Sequence, residues 1–395
     1  MDARKAGIIL YAAAAATMLL ATFAGFPPDW KPAGVEEPAP LPSFRPKSLL
    51  SGTFAEEFDR FFARQFGFRG FGIRLAHQLE WDLFGTLPRP KGTAIDEGSD
   101  HWLYEHLYVS HHVHRYGMPP DEASEFAARM AALRDCLAKR GIPLVVCVAP
   151  SKPSVYGEYL PGYAVPSAAE ENNTPARDRL VESLRREGVP TVDSLPLFLS
   201  WKEEGPLLFS RNGTHWNAYG AQRVFDAIIA AARAQNPSLP PVPTVTGFVD
   251  APPLLTDSDL SALFNIFRYP FEEKTVPYPT LSSLPEPTAK RLRILGVGDS
   301  FSFQLADAMG RCGAVESFRF LYYNKADYRF SWVPNKHPRE NRPEKFRLPS
   351  FSADDFDLDE ATRDVDLVLV ELNDIFARQR AWDFGTKLDS ESDRR

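Results

Sequence analysis

Three short runs in this chain are apolar at consecutive positions rather than alternate ones: IPLVVCVAP (142–150), RLRILGVG (291–298) and VDLVLVEL (365–372). Runs of this kind suit strands covered on both faces, which occur mainly in parallel sheets between helices. The intervening pattern is helical. Pro119-Pro120-Asp121 opens a helix over 119–140 that carries Phe126, Met130, Leu133 and Leu137 on one stripe and stops at Gly141. A second helix, 176–187, leads to a strand end at Val192-Asp193. A third, 218–235, sets Ala221, Val224, Phe225, Ile228 and Ile229 along one face. Helices alternating with buried strands predict an α/β fold: a three-layer sandwich around a mostly parallel sheet. With 395 residues, 44% of them hydrophobic and 25% charged, the chain is long and apolar enough for one large domain or two ordinary ones.

The N-terminus sets the compartment. Residues 7–26, GIILYAAAAATMLLATFAGF, hold no charge. Twenty helical residues span about 30 Å, one bilayer core. Arg4 and Lys5 precede the run and only Lys31, beside Asp29, follows it closely, a bias that leaves residues 1–6 in the cytoplasm and exports the rest. An uncleaved signal-anchor in the inner membrane, with the folded part in the periplasm, fits better than a cleaved signal peptide, because Thr22-Phe23-Ala24 matches a small-residue cleavage site poorly.

The seven prolines of residues 27–46 read as a linker over 27–47, followed by a domain over 48–380 and a charged tail over 381–395. Phe54, Phe58, Phe61, Phe62 and Phe66 recur at helical spacing and read as a core face. A short strand is expected at Thr93–Ile95, then a turn at Gly98 and an apolar piece at Trp102–Tyr104. Residues 237–287 carry eleven prolines and read as a mostly irregular, lid-like excursion with a helical piece at 258–264.

Composition excludes several classes. A net charge of -7 argues against nucleic acid as a partner. Cys136, Cys147 and Cys312 are too few for a disulfide-stapled scaffold or a four-cysteine zinc site. His101, His106, His111, His112 and His114 cluster, but without a recognised ligand spacing. A solvated loop beside the cleft is the simpler reading, and neither a metal nor a cofactor is expected.

Two segments can carry chemistry. In LRILGVGDSFSFQLADAM an apolar strand ends in Gly296-Val297-Gly298-Asp299-Ser300 and a helix starts at once. A serine there sits beside the free N–H groups of the helix start, which can hold an oxyanion while the hydroxyl attacks. The plainer role for Asp299 or Ser300 is a helix cap. The second segment is Gly213-Thr214-His215-Trp216-Asn217-Ala218-Tyr219-Gly220, where a histidine just before a helix can serve as a base.

GDSFS downstream of T-H-W-N resembles the SGNH-hydrolase-like domain of the AlgX/AlgJ-type alginate O-acetyltransferases. LSGTFAEEFDRFFARQFGFR, GTAIDEGSDHWLYE, VCVAPSKPSVYGEYLP and DLVLVELND are similar to further family segments, in order, over roughly residues 48–378. The resemblance implies an SGNH fold and acyl transfer through a serine ester, with Ser300 as nucleophile and His215 as base. It implies an exported polysaccharide as acceptor and a membrane-embedded O-acyltransferase as acetyl donor. Around this pair, Gly298, Asp299, Asn324 and Asn373 are oxyanion or cleft candidates, and Lys152 and Tyr156 either line the cleft or cap a strand end. Trp102, Trp216, Tyr323 and Trp332 are available as sugar-contacting faces, a role each fills less readily than a core position.

The family pattern is Asp-x-His-Trp, and here the aspartate position is Gly213. That carboxylate would fix the imidazole tautomer and stabilise its charged form. Asn212, one place earlier, can accept a hydrogen bond but has no charge. Three readings follow: a Ser-His dyad, a carboxylate borrowed from elsewhere, or a paralogue that only binds. An acetylesterase acting on carbohydrate would use the same Ser300 and His215.

Overall fold

The computed structural model describes residues 3–24, 32–34, 39–65, 67–88, 94–165, 174–283, 286, 289–332, 344–347 and 357–377. Phe66, Thr93, the charged tail and the linker stretches 27–31 and 35–38 lie outside the described residues. The chain forms two compact units, residues 1–95 with 259–272, and residues 96–258 with 273–395.

The described elements lying wholly within the first unit are helices. Its N-terminal helix, Ala3–Ala24, contains a 20-residue apolar span, Lys5–Ala24, with mean hydropathy 1.9. Ile8, Leu10 and Tyr11 are exposed. Only 11% of its apolar window is buried, so this helix is not a soluble core element. Its length and composition fit a bilayer span. The phenylalanines of helix Thr53–Gln65 form a ladder, Phe54 to Phe58 at 6.0 Å and Phe58 to Phe62 at 6.4 Å, but only Phe61 is fully buried. The expected core face is therefore mostly a half-buried one.

The second unit holds most of the strands. In chain order these are β1 (Ile95–Glu97, shared at its first residue with the first unit), β2 (Leu103–Glu105), β3 (Leu144–Ala149), β4 (Thr191–Asp193), β5 (Val245–Ala251) and β6 (Val276–Leu281). They continue with β7 (Leu292–Gly298), β8 (Val315–Tyr322), β9 (Ala326–Ser331), β10 (Glu344–Arg347) and β11 (Leu367–Asn373). Seven form the central sheet in the order β10-β9-β8-β7-β11-β3-β4. The pairs from β8 to β4 are parallel, and β9 and β10 extend one edge antiparallel.

The three consecutive apolar runs become the three central strands, because alternate residues on each must be covered on opposite faces. Val145, Cys147 and Ala149 of β3 and Leu367 and Leu369 of β11 join one core with Phe225 and Ile228 of helix Ala218–Gln235 and Leu305 and Met309 of helix Ser302–Cys312. Leu144, Val146, Val368 and Val370 join the other with Phe126, Met130 and Leu133 of helix Pro120–Ala138 and Leu180 of helix Ala176–Arg186. This is the predicted three-layer α/β sandwich around a mostly parallel sheet.

Two further sequence expectations need correction. Residues 237–287 are not mostly irregular: β5 and β6 pair antiparallel across them. Pro277 and Pro279 in β6 are two apart, so their missing N–H groups fall on one side, which a two-stranded ribbon leaves unpaired. Most of the histidine cluster lies on a helix, His106–His114, not on a loop. His101 contacts Glu97 at 2.6 Å and His106 contacts Asp96 at 2.8 Å, so these two are held by carboxylates. Strands β8 and β9 had no sequence assignment, because their apolar residues are interrupted by Glu316, Arg319, Asp327 and Arg329.

Candidate active site

Open α/β sheets place ligands at the carboxyl ends of their strands. β7 ends at Gly298, and the chain turns through Asp299, Ser300 and Phe301 into helix Ser302–Cys312. Gly298 is required by close approach: a Cβ there would lie 2.5 Å from Ser302 Oγ and 2.7 Å from Glu371 Oε2. Asp299 shapes the turn by accepting the Phe301 N–H at 3.0 Å on Oδ1 and the Asn373 N–H at 2.7 Å on Oδ2. Ser300 is left half-buried at the surface end of the turn.

His215 comes from the opposite side of the gap. It precedes helix Ala218–Gln235, whose start is fixed by Asn217: its Oδ1 accepts the Gly220 N–H at 2.9 Å and its Nδ2 donates to Leu207 O at 2.8 Å. His215 Nε2 lies 2.9 Å from Ser300 Oγ. Phe301 holds the two segments together from below. Its fully buried ring sits 4.8 Å from the His215 ring and 5.1 Å from that of Trp216, and its carbonyl accepts the Trp216 indole N–H at 3.2 Å.

Beneath the serine lies a buried acid pair. Glu371 Oε2 accepts the Asp299 N–H at 3.1 Å and the Ser302 hydroxyl at 2.8 Å. Burial, and then the negative charge of Asp299, holds the Glu371 carboxyl well above the ordinary range, so it keeps its proton. Burial also pushes Asp299 up, but the Phe301 and Asn373 amides and the charge of His215 pull it back. One negative charge is therefore carried by the pair, on Asp299, in electrostatic contact with His215.

The other candidates fall in distinct places. Lys152 is buried, with Nζ donating to the carbonyls of Leu103 (2.7 Å), Arg211 (2.9 Å) and Gly213 (2.9 Å) under the Trp102 and Tyr104 rings. It clamps the loop that leads to His215. Tyr156 is also buried; its hydroxyl accepts the Leu208 N–H at 3.0 Å, and burial pushes it up to about 12. Asn212 accepts the Glu273 N–H at 2.8 Å. Asn373 lies at the end of β11, beside the Ser300 turn, and its buried Nδ2 has no partner among the described residues. Asn324 sits in the β8–β9 turn, which the Tyr323 N–H ties to Gly298 O at 2.9 Å. Trp102, Trp216 and Trp332 are core residues, and Tyr323 is half-buried near the turn. Phe301, Ser302 and Glu371 went unnoticed in the sequence; the acid inside an otherwise apolar strand was the available signal for Glu371.

Gly213 has a steric reason. A Cβ there would meet Thr256 O at 2.5 Å and the Asp257 carbonyl group at 3.0 Å. The turn through Leu255–Asp257 occupies the space that an aspartate side chain at 213 would fill.

A serine in a strand-to-helix turn and a histidine at hydrogen-bond distance from it sit together on the carboxyl edge of this sheet. Residues 95–275 match the family model described as SGNH hydrolase-like domain, acetyltransferase AlgX. The family resemblance read from the motifs holds over this stretch, which includes His215 and ends before Ser300. Among curated proteins, the chain is 28% identical over 188 residues to the probable alginate O-acetylase AlgJ of Pseudomonas aeruginosa, covering 47% of this chain and 44% of that one. It is 26% identical over 180 residues to the protein of the same description from Azotobacter vinelandii, covering 45% and 42%. The matches thus span less than half the length of these relatives. A solved structure, the O-acetyltransferase domain of Pseudomonas putida AlgJ, aligns over 75% of this chain and 99% of its own at 17% identity, with a TM-score of 0.43.

Two predictions follow from this geometry. Folded Glu371 keeps a proton that the unfolded chain releases above the ordinary value of 4.5, so rising pH favours unfolding, by at most about 1.4 kcal/mol per pH unit. Glu371→Gln mimics the protonated form; its melting temperature relative to the native chain should rise steadily from pH 5 to pH 8, and parallel curves would refute the assignment. Restoring the family residue with Gly213→Asp should destabilise the protein by about 1–3 kcal/mol through overpacking, without raising activity. A chemical denaturation curve with an unchanged midpoint would show that the Leu255–Asp257 turn yields freely.

Proposed function

We propose that this protein is an O-acetyltransferase that moves acetyl groups to hydroxyls of an exported polysaccharide through an acetyl ester on Ser300. The observation that carries this reading is the 2.9 Å contact between His215 Nε2 and Ser300 Oγ. Ser300 Oγ attacks the acetyl carbonyl while His215 takes its proton. The Ser300 N–H at the head of the turn and the unpartnered Asn373 Nδ2 are the donors proposed for the oxyanion. The leaving group departs with the proton from His215. A sugar hydroxyl then attacks the ester carbonyl, gives its proton to His215, and Ser300 leaves and is reprotonated.

The charge on Asp299 favours the imidazolium formed in each half-reaction, a role the pattern aspartate would have shared. Asn212 remains a proposed aid to the imidazole only through the loop it fixes at Glu273. The relatives' descriptions as alginate O-acetylases support a uronate polymer as the acceptor. The apolar helix Ala3–Ala24 supports a single inner-membrane anchor with the domain over 48–380 in the periplasm, beside a membrane-bound O-acyltransferase that supplies acetyl.

The test is intact-mass analysis after exposure to an aryl acetate. The native chain should gain one acetyl group, mapped to Ser300; Ser300→Ala should gain none, and His215→Ala should acylate about 10²–10⁴-fold more slowly. Acetylation elsewhere, or equal labelling of all three, would overturn the mechanism. Release of the acetyl group faster to oligosaccharide than to water distinguishes the transferase from an acetylesterase.

A further inference from the structure

One strand beyond the Ser300 turn, the ends of β11 and β3 open into a cavity of about 240 Å³. This is smaller than the roughly 300–1,000 Å³ of a drug-sized site and suits one sugar ring. Asp374, the residue after β11, forms part of its wall. Its Oδ2 accepts three bonds, from the Ser151 N–H at 3.0 Å, the Ser151 hydroxyl at 3.1 Å and the Ser154 hydroxyl at 2.7 Å. Its Oδ1 is buried and has no partner among the described residues. Buried acceptors rarely stay unpaired, so such an atom marks where a donor belongs.

The rest of the lining supplies the other contacts a sugar needs. Tyr116 is 43% exposed and is braced by the His111 and His114 rings at 4.8 and 5.5 Å. Its carbonyl accepts the Ala176 N–H at 2.9 Å, which fixes the ring's segment against the far wall. Two arginines line the cavity. Arg177 is already engaged by Asp178 and Asp193. Arg115 is exposed, lies in the left-handed conformation at φ 48°, and has no carboxylate partner among the described residues. Next to it, burial and the Arg115 charge lower the pKa of His112.

We propose that this cavity is a subsite for a uronate residue of the acceptor polymer. A ring hydroxyl donates to Asp374 Oδ1, the Tyr116 ring covers one sugar face, and Arg115 pairs with the sugar carboxylate. Asp374 follows Asn373, whose N–H holds Asp299, so a ring in the cavity lies about one to two strand spacings, roughly 5–10 Å, from Ser300. The proposal rests on the polysaccharide acceptor of the preceding reading and adds where, and by what charge, the polymer is held.

The experiment uses the full chain in detergent with oligouronates prepared from alginate, and neutral cello-oligosaccharides of equal length. Arg115→Asn keeps a residue that tolerates φ > 0. It should raise the acceptor KM for oligouronate about tenfold, leave neutral acceptors unchanged, and leave acetyl-enzyme formation from aryl acetate at the native rate. Tyr116→Ala should weaken both acceptors with the same intact acylation. Unchanged KM in both variants, or equal native affinity for neutral and charged acceptors, would overturn the subsite. Calorimetric binding of oligouronate to Ser300→Ala keeps the test separate from catalysis. If the native chain is never acylated, the transfer reading fails, while binding that is lost on adding Arg115→Asn still supports the subsite and binding that persists sinks it.

Discussion

The site depends on the packing of Phe301. Ser300 and His215 are 85 positions apart, and no local structure could bring their polar ends to 2.9 Å. A buried ring beside the serine, against the His215 and Trp216 rings and with its carbonyl on the indole N–H, converts apolar burial into a fixed polar geometry. A hydroxyl and an imidazole gain little from each other in water, where each has other partners. Here the core holds them in register and leaves their reactive atoms at the surface.

The polar groups below the site follow the same logic. Asp299 and Glu371 are both fully buried, an arrangement that two ionised carboxylates could not sustain. Sharing one charge, and tying it down with amide and hydroxyl donors, makes the turn rigid and keeps a negative charge close to the histidine. Lys152 performs the complementary task on the other side: a buried cation satisfied by three carbonyl oxygens holds the loop preceding His215. Both arrangements keep ionisable side chains in the fold rather than in solvent.

The departure from the family pattern at Gly213 is a packing matter as much as a chemical one. The Leu255–Asp257 turn lies where the pattern's aspartate would project, so glycine at 213 and that turn go together. The proline-rich stretch that contains it has a local order, the β5–β6 ribbon, that its composition concealed.

Consecutive apolar runs at 142–150, 291–298 and 365–372 were enough to define the central strands, because a strand covered on both faces has no polar side to show. The same holds for the helices carrying Phe126 and Phe225, whose 3.6-residue stripes are local properties. The G-D-S turn and the T-H-W segment were legible as junctions for the same reason: each is a short strand-to-helix or loop-to-helix connection. Strands β8 and β9 were not, since their charges pair across the sheet, as Arg319 does with Asp327 at 2.8 Å. Nor could the sequence assign Lys152 to a carbonyl clamp, give Glu371 a retained proton, or place Asp374 and Arg115 around one cavity. Local patterning depends on near neighbours along the chain; desolvation, charge coupling and cavity walls depend on which distant segments meet, and only the folded arrangement decides that.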